Sequence, residues 1–385
     1  MSLTESFQFY APTRLIAGRG SVAQVPELLK PHAEEKTLVV TDRGLVQAGI
    51  VQLLTDVLDA AGCAYTLFDA VEPNPPIRVV EEGFQQYQSE GCGPIVIVGG
   101  GSSIDTAKAI GVLATNGGNI EAHFAPANVP NRIPYTIAVP TTYGTGSEVT
   151  PFAVITDNNH FKAAVRGPEI IPDVGILDSD FAVGLPMPVA AATGMDALTH
   201  AIESYVATTS NPLADASALH AIRLVADNLR QAASSDGNHE ATENMLLASA
   251  LAGVAFSQTL LGNVHAMSHP VSGHYGVPHG VANAILLTRV MDFNVIACPD
   301  RFAEIAAALG EDVTDLSEME AATLAVEAVE ALSNEVGIPP DLTTAGADPQ
   351  GIPVLSEDAM KSVNISLNPR KTILQDVVSL YEQSF

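Results

Sequence analysis

In the first half of the chain, short apolar runs alternate with stretches whose apolar residues recur every three or four positions. TLVVTD (37–42), AYTLFD (64–69) and the apolar part of PIVIVGGGSSIDTAKAI (94–110) read as buried strands. Leu45–Ala60, Val79–Ser89 and the segment after the glycines read as helices. Strands alternating with helices predict a parallel sheet, whose ligands bind at the carboxyl ends of its strands. IPYTIAVPTTYGTGSEVTPFAVITD (133–157) predicts two more strands joined by a turn rich in Thr, Gly and Ser.

After the proline-flanked GLPMP (184–188) the β-type runs give way to Ala- and Leu-rich segments of helical period. Helices are expected over Val189–Thr208, Pro212–Ala233, Ala241–Leu260, Val281–Val295 and Asp300–Leu309, with further ones at Ala321–Val336 and Glu357–Ser362. Asn211 before Pro212 supplies a helix cap and a first position. The chain thus reads as α/β plus all-α. A Rossmann-like, parallel-sheet dinucleotide-binding domain spans 1–184, and a helical metal-binding domain spans 185–385.

Two motifs bring chemistry to this frame. Gly99, Gly100, Gly101, Ser102 and Ser103 directly follow a strand and open a helix, where free N–H groups and the helix dipole favour an anion such as a pyrophosphate. The run fits neither GxGxxG nor a Walker loop, and a tight turn without a ligand is the competing reading. Asp42 ends its strand where a carboxylate can accept from an adenosine ribose, which favours NAD(H). The adjacent Arg43 leaves NADP(H) open. Hydroxyls of the 141–150 turn, among them Thr141, Thr142, Ser147 and Thr150, and the later Lys162 can meet cofactor oxygens. Their bland alternatives are a polar loop and a surface cation.

The second motif lies between Gly194 and Gly280. In GMDALTHAIE, Asp196 and His200 are four residues apart, about one helical turn or 6 Å of rise. HAMSHPVSGHYGVPHG adds His265 and, where a loop meets a helix start, His279. Burying an acid and an imidazole among Ala, Met, Leu and Ile without partners costs several kcal/mol. A divalent cation held by Asp196, His200, His265 and His279 removes that cost, and an all-N/O shell suits Fe²⁺, Mn²⁺ or Zn²⁺.

Composition narrows the partners. Of 385 residues, 47% are hydrophobic, enough for sizeable cores. Against 44 acidic residues stand 17 Lys and Arg, for a formal charge of −27, so neither nucleic acid nor an anionic membrane is an expected partner. Such acidity is also that of a hydrated carboxylate surface suited to high salt. Cys63, Cys92 and Cys298 show no metal or disulfide spacing. With no secretory pattern and no apolar run of about 18 residues, a cytoplasmic protein is expected.

In order and spacing, GGGSSIDTAK, PTTYGTGSEVT, GMDALTHAIE and HAMSHPVSGHYGVPHG resemble the iron-containing, metal-dependent group III alcohol dehydrogenases, a family that includes lactaldehyde reductases and 1,3-propanediol dehydrogenases. The resemblance covers nearly the whole chain. It implies that Asp196, His200, His265 and His279 bind one catalytic divalent metal, usually Fe²⁺. It implies nicotinamide nucleotide contacts from Gly101, Ser102, Thr141, Thr142 and Lys162, with Asp42 and Asn74 near the adenosine half and Thr150 and Phe152 lining the site. His269 matches a proton carrier between cofactor ribose and solvent. His274 departs from the pattern, standing where similar sequences often carry an aromatic residue.

The expected activity is interconversion of small primary alcohols or diols and aldehydes by a homodimer or larger homo-oligomer, with cofactor and cage meeting across an interdomain cleft. The alternatives are a dehydroquinate synthase-type lyase, a metal-free maleylacetate reductase-like enzyme and a non-catalytic nucleotide binder. The paucity of cations near the motifs argues against the lyase, and the complete ligand set argues against the metal-free enzyme.

Overall fold

The computed structural model describes residues 6–158, 162–235 and 237–385. The start of the N-terminal stretch read for a secretory pattern, residues 1–5, lies outside them. The chain divides into two compact units. One comprises Ala11–Thr142 and Gly146–Gly184, the other residues 6–10, Tyr143–Thr145 and Leu185–Phe385.

The first unit carries β1 (Arg14–Ala17), α1 (Val25–Leu29), β2 (Lys36–Val40), α2 (Arg43–Gln47), α3 (Ile50–Ala60), β3 (Tyr65–Phe68), α4 (Ile77–Ser89), β4 (Cys92–Gly99), α5 (Gly101–Asn116), β5 (Thr136–Pro140), β6 (Phe152–Thr156), β7 (Lys162–Arg166) and β8 (Val174–Leu177). Six strands form a parallel sheet in the order β1-β8-β5-β4-β2-β3. Alternate residues face opposite sides, so Leu38, Val40, Ile95 and Ile97 join Ile104 and Ile110 of α5, while Val39, Val96 and Val98 join Val51, Leu54 and Leu58 of α3. Burying such side chains contributes roughly 1.5–3 kcal/mol each. After β3 the chain returns past β2 to lay down β4 on its other side. This reversal places the sheet's ligand crevice at the carboxyl ends of β2 and β4.

The expected helix over Leu45–Ala60 is two helices. Gly49 stands at φ 76°, a left-handed conformation that ends α2 before α3 begins. The two strands expected over 133–157 exist, but β5 lies inside the parallel sheet and β6 pairs antiparallel with β7. The turn between them therefore joins two sheets.

The second unit is helical: α6 (Met187–Val206), α7 (Pro212–Ser234), α8 (His239–Thr259), α9 (Asn263–Tyr275), α10 (His279–Val295), α11 (Pro299–Ala308), α12 (Glu318–Glu335), α13 (Ile352–Ala359) and α14 (Leu374–Ser384). The Asn211 side chain accepts from the N–H groups of Leu213 and Ala214, capping α7. Helix α9 lacks a clean apolar period and carries Pro270 in its interior, so the pattern predicts none there. Helix α6 is buried almost all round from Ala190 onward, which leaves its polar side chains needing partners inside the protein. Among the described residues, no single helix is long and apolar enough to cross a membrane.

Candidate active site

In the α/β unit, β4 runs straight into the glycine turn and α5. A Cβ on Gly99 would stand 2.3 Å from Ser103 Oγ, so that position requires glycine for close packing, and one on Gly100 would press on Thr142 Oγ1 at 3.0 Å. Gly101, Ser102 and Ser103 form the first turn of α5, whose N–H groups lack intrahelical acceptors and suit an anion. Thr141 follows β5, its N–H donating to the Gly99 carbonyl.

Beneath this turn lies a cluster that motif reading does not single out. Lys108 is fully buried, and its ammonium donates to Ser147 Oγ (3.1 Å), the Thr150 carbonyl (2.9 Å) and the Phe152 carbonyl (2.7 Å). Asp105 accepts from Ser147 Oγ at 2.5 Å and from the Val154 N–H at 2.9 Å. Burial pushes the Lys108 ammonium down to about 8 and the Asp105 carboxyl up, each opposing the other's shift. Ser147 and Thr150 are thus tied to the protein interior. Lys162 opens β7 opposite Thr156, and its charge acts on Asp105.

Asp42 caps α2, one carboxylate oxygen accepting from the Leu45 N–H at 3.0 Å. Asn74 adopts φ 51° in a loop whose carbonyl accepts from Thr156 Oγ1. Phe152 begins β6, with the Arg166 guanidinium 5.4 Å above its ring.

In the helical unit, Asp196, His200 and Glu203 occupy one face of α6 at i, i+4 and i+7, all nearly buried. His265 lies in the first turn of α9, and His279 is the first residue of α10. The Nε2 atoms of His200, His265 and His279 each lie 3.9 Å from the same Asp196 oxygen. Asp196, His265 and His279 form the tight group, their ligand atoms all within 4.8 Å of one another, while the His200 ring stacks on His265 at 4.6 Å.

The other ring nitrogens fix the imidazoles. His200 Nδ1 donates to the Gly144 carbonyl at 3.1 Å, and His265 Nδ1 meets Glu203 Oε2 at 2.6 Å. Burial, then the neighbouring histidines, hold His265 well below the ordinary histidine range, hence neutral. Asn283, one turn into α10, places its amide nitrogen 2.6 Å from Asp196 Oδ1 and 3.1 Å from Nε2 of both His265 and His279. A positively polarised group thus occupies the convergence of three Lewis bases, so the donor set suits a cation.

His269, one turn beyond His265, is exposed and stacks on His279 at 5.2 Å between centroids. His274 faces outward and pairs with Asp358 at 2.8 Å. Glu203 and Asn283 are the residues sequence reading misses here. The i, i+4, i+7 spacing of Asp196, His200 and Glu203 carries a signal for the first. Nothing in the sequence marks the second before α10 is folded.

A doubly covered parallel sheet with a glycine turn at its switch point, together with a buried acid-and-imidazole cage, defines a metal-dependent, dinucleotide-linked oxidoreductase. The profile of iron-containing alcohol dehydrogenases matches residues 12–179, and that of the C-terminal region of the Fe-containing alcohol dehydrogenase family matches residues 190–385. The chain is 42% identical over 382 residues to a 1,3-propanediol dehydrogenase of Citrobacter freundii, covering 98% of this chain and 99% of the relative. It is 42% identical over 373 residues to a lactaldehyde reductase of Escherichia coli, covering 96% and 97%. A crystal structure of a 1,3-propanediol oxidoreductase superposes with a TM-score of 0.96 at 41% identity, covering 99% of this chain and 100% of that one. The chain belongs to the iron-containing alcohol dehydrogenase family.

Proposed function

We propose that this protein interconverts small primary alcohols or diols and their aldehydes, using one divalent metal and a nicotinamide dinucleotide. The observation that carries the reading is the convergence of three imidazole Nε2 atoms, each at 3.9 Å, on one buried Asp196 oxygen. Asp196, His200, His265 and His279 would hold the metal, with Fe²⁺ favoured by the family and Mn²⁺ or Zn²⁺ compatible with the same donors. When bound, the cation lowers the pKa of the substrate hydroxyl or polarises the carbonyl, and the nicotinamide accepts or supplies the hydride.

The remaining roles belong to the chain. Three neutral imidazoles and one carboxylate leave about one net positive charge on a divalent ion by ligand counting, enough for Lewis-acid action. The N–H groups of Gly101, Ser102 and Ser103 would hold the pyrophosphate, and the packing of Gly99 and Gly100 keeps that turn close to the sheet. Thr141, Thr142 and Lys162 would contact the nucleotide, with Asn74 on its adenosine side. Ser147, Thr150 and Phe152, tied to Lys108, would shape the wall behind it. Asp42 retains acceptor capacity for a ribose hydroxyl beyond its capping bond, which supports NAD(H). His269, exposed and stacked on His279, would pass the hydroxyl proton to solvent. The three cysteines form no disulfide, which supports a reducing compartment such as the cytoplasm.

The test is a panel of small aldehydes and diols assayed with NADH and NADPH on metal-loaded protein. Turnover of short neutral aldehydes with NADH at least about tenfold better than with NADPH is expected. Turnover only of phosphorylated or carboxylated substrates, or of none, would contradict the reading.

A further inference from the structure

Glu203 is a carboxyl group only 3% exposed, a position that normally costs several kcal/mol for a charge. What surrounds it explains why it is kept. One oxygen accepts the Val264 N–H at 2.6 Å, in the first turn of α9, where the helix dipole favours an anion. The other oxygen lies 2.6 Å from His265 Nδ1. Two faces of one side chain are therefore used at once, one on the backbone of α9 and one on the imidazole that α9 carries.

The location is specific. Glu203 lies one turn after His200 on the face of α6 that presents Asp196, and Gly262 leaves the space its carboxylate needs, since a Cβ there would stand 3.0 Å from Glu203 Oε1. Across the His265 ring, Nε2 points at the Asp196 oxygen, 3.9 Å away. An imidazole has one proton to place when neutral, and a carboxylate at Nδ1 draws that proton there, leaving the Nε2 lone pair directed into the cage.

We propose that Glu203 is a positioning residue of the metal centre: it sets the Nδ1–H tautomer and the ring orientation of His265 and so fixes the cage's affinity for its cation. The inference rests on the metal-dependent reading above. His200 is held in the same sense by a backbone carbonyl, from Gly144, so the two imidazoles are oriented by acceptors of different strength. A side-chain carboxyl behind His265 and a backbone carbonyl behind His200 thus orient the two imidazoles from outside the cage.

The experiment uses the full chain loaded with Zn²⁺. Wild type and Glu203→Gln are titrated with a competing chelator at one fixed pH, with nucleotide binding measured separately by calorimetry. Gln keeps the size of Glu and an oxygen for the Val264 N–H, but turns its NH₂ toward His265 Nδ1. It should therefore weaken Zn²⁺ binding about 10–100-fold while leaving nucleotide affinity and the metal-free melting temperature near wild type. In the metal-free proteins, long-range ¹H–¹⁵N correlation of the imidazoles should show His265 protonated at Nδ1 in wild type and at Nε2 in the variant.

Zn²⁺ affinity unchanged within about twofold, with His265 still Nδ1-protonated in the variant, would reduce Glu203 to a helix cap and overturn the proposal. If Glu203→Gln does not fold, the wild-type spectrum alone decides, an Nε2-protonated His265 overturning it. His265→Ala serves as the control for the underlying reading. Metal retention by that variant at the wild-type level would sink the cage itself, whereas the tautomer of metal-free wild type tests Glu203 independently.

Discussion

Glu148, in a single 3-10 turn directly after Gly146 and only 2% exposed, has its carboxyl pushed up to about 7 by burial, against a backbone N–H and the nearby Lys108 ammonium. The folded protein therefore keeps a proton there that the unfolded chain releases near 4.5. This contribution to stability is fully present below about pH 4.5 and is lost as the pH climbs through about 7. Glu148→Gln, which never ionises, should gain stability relative to wild type across that window, by roughly 3 kcal/mol at most. Melting temperatures of the two proteins at a series of pH values check this. A difference that stays constant from pH 4.5 to 7 would contradict it.

Packing between elements, not any one contact, sets where the ligand groups stand. A Cβ on Gly280 would meet the Ala192 carbonyl of α6 at 2.2 Å, so Gly280→Ala must push α10 away and carry His279 with it. Gly99→Ala would press on Ser103 and lift the first turn of α5 from β4. Overpacking of this kind costs about 1–3 kcal/mol, which, where it falls on the ligand-binding geometry, is a loss of affinity of about 5- to 150-fold. Separate effects are expected: Gly280→Ala loses metal and keeps nucleotide binding, while Gly99→Ala does the reverse, read by metal analysis and calorimetry. Equal loss of both ligands in both variants would show general unfolding instead.

These elements also mark what the sequence discloses. Helices α6, α7, α8, α11 and α12 have long apolar periods, and β2, β3 and β4 are continuous apolar runs, so both kinds are legible. Strands β1 and β8 are only four residues long and pair with each other across most of the unit's sequence, and β7 is a five-residue strand paired only with β6 outside the main sheet. Helix α9 is hidden by Pro270, and the break at Gly49 depends on one residue adopting positive φ. Asp196, His200, His265 and His279 are legible because their residue types and spacings are unusual. Glu203 leaves only the i, i+7 spacing to Asp196 as a signal, while Asn283 and the partners of the Lys108–Asp105 pair emerge once the chain brings distant residues together.

For the molecule as a whole, the formal charge of −27 bears on solubility, while the candidate site residues are spread over two units. The imidazole-and-carboxylate cage is expected to make hydride exchange depend on one cation per chain. The most direct measurement strips the protein with chelator and titrates Fe²⁺ back anaerobically, following aldehyde-dependent NADH oxidation against bound metal. Negligible turnover in the stripped protein and a linear return that saturates at one equivalent per chain are expected. Full turnover without metal, or a return unrelated to bound metal, would contradict it.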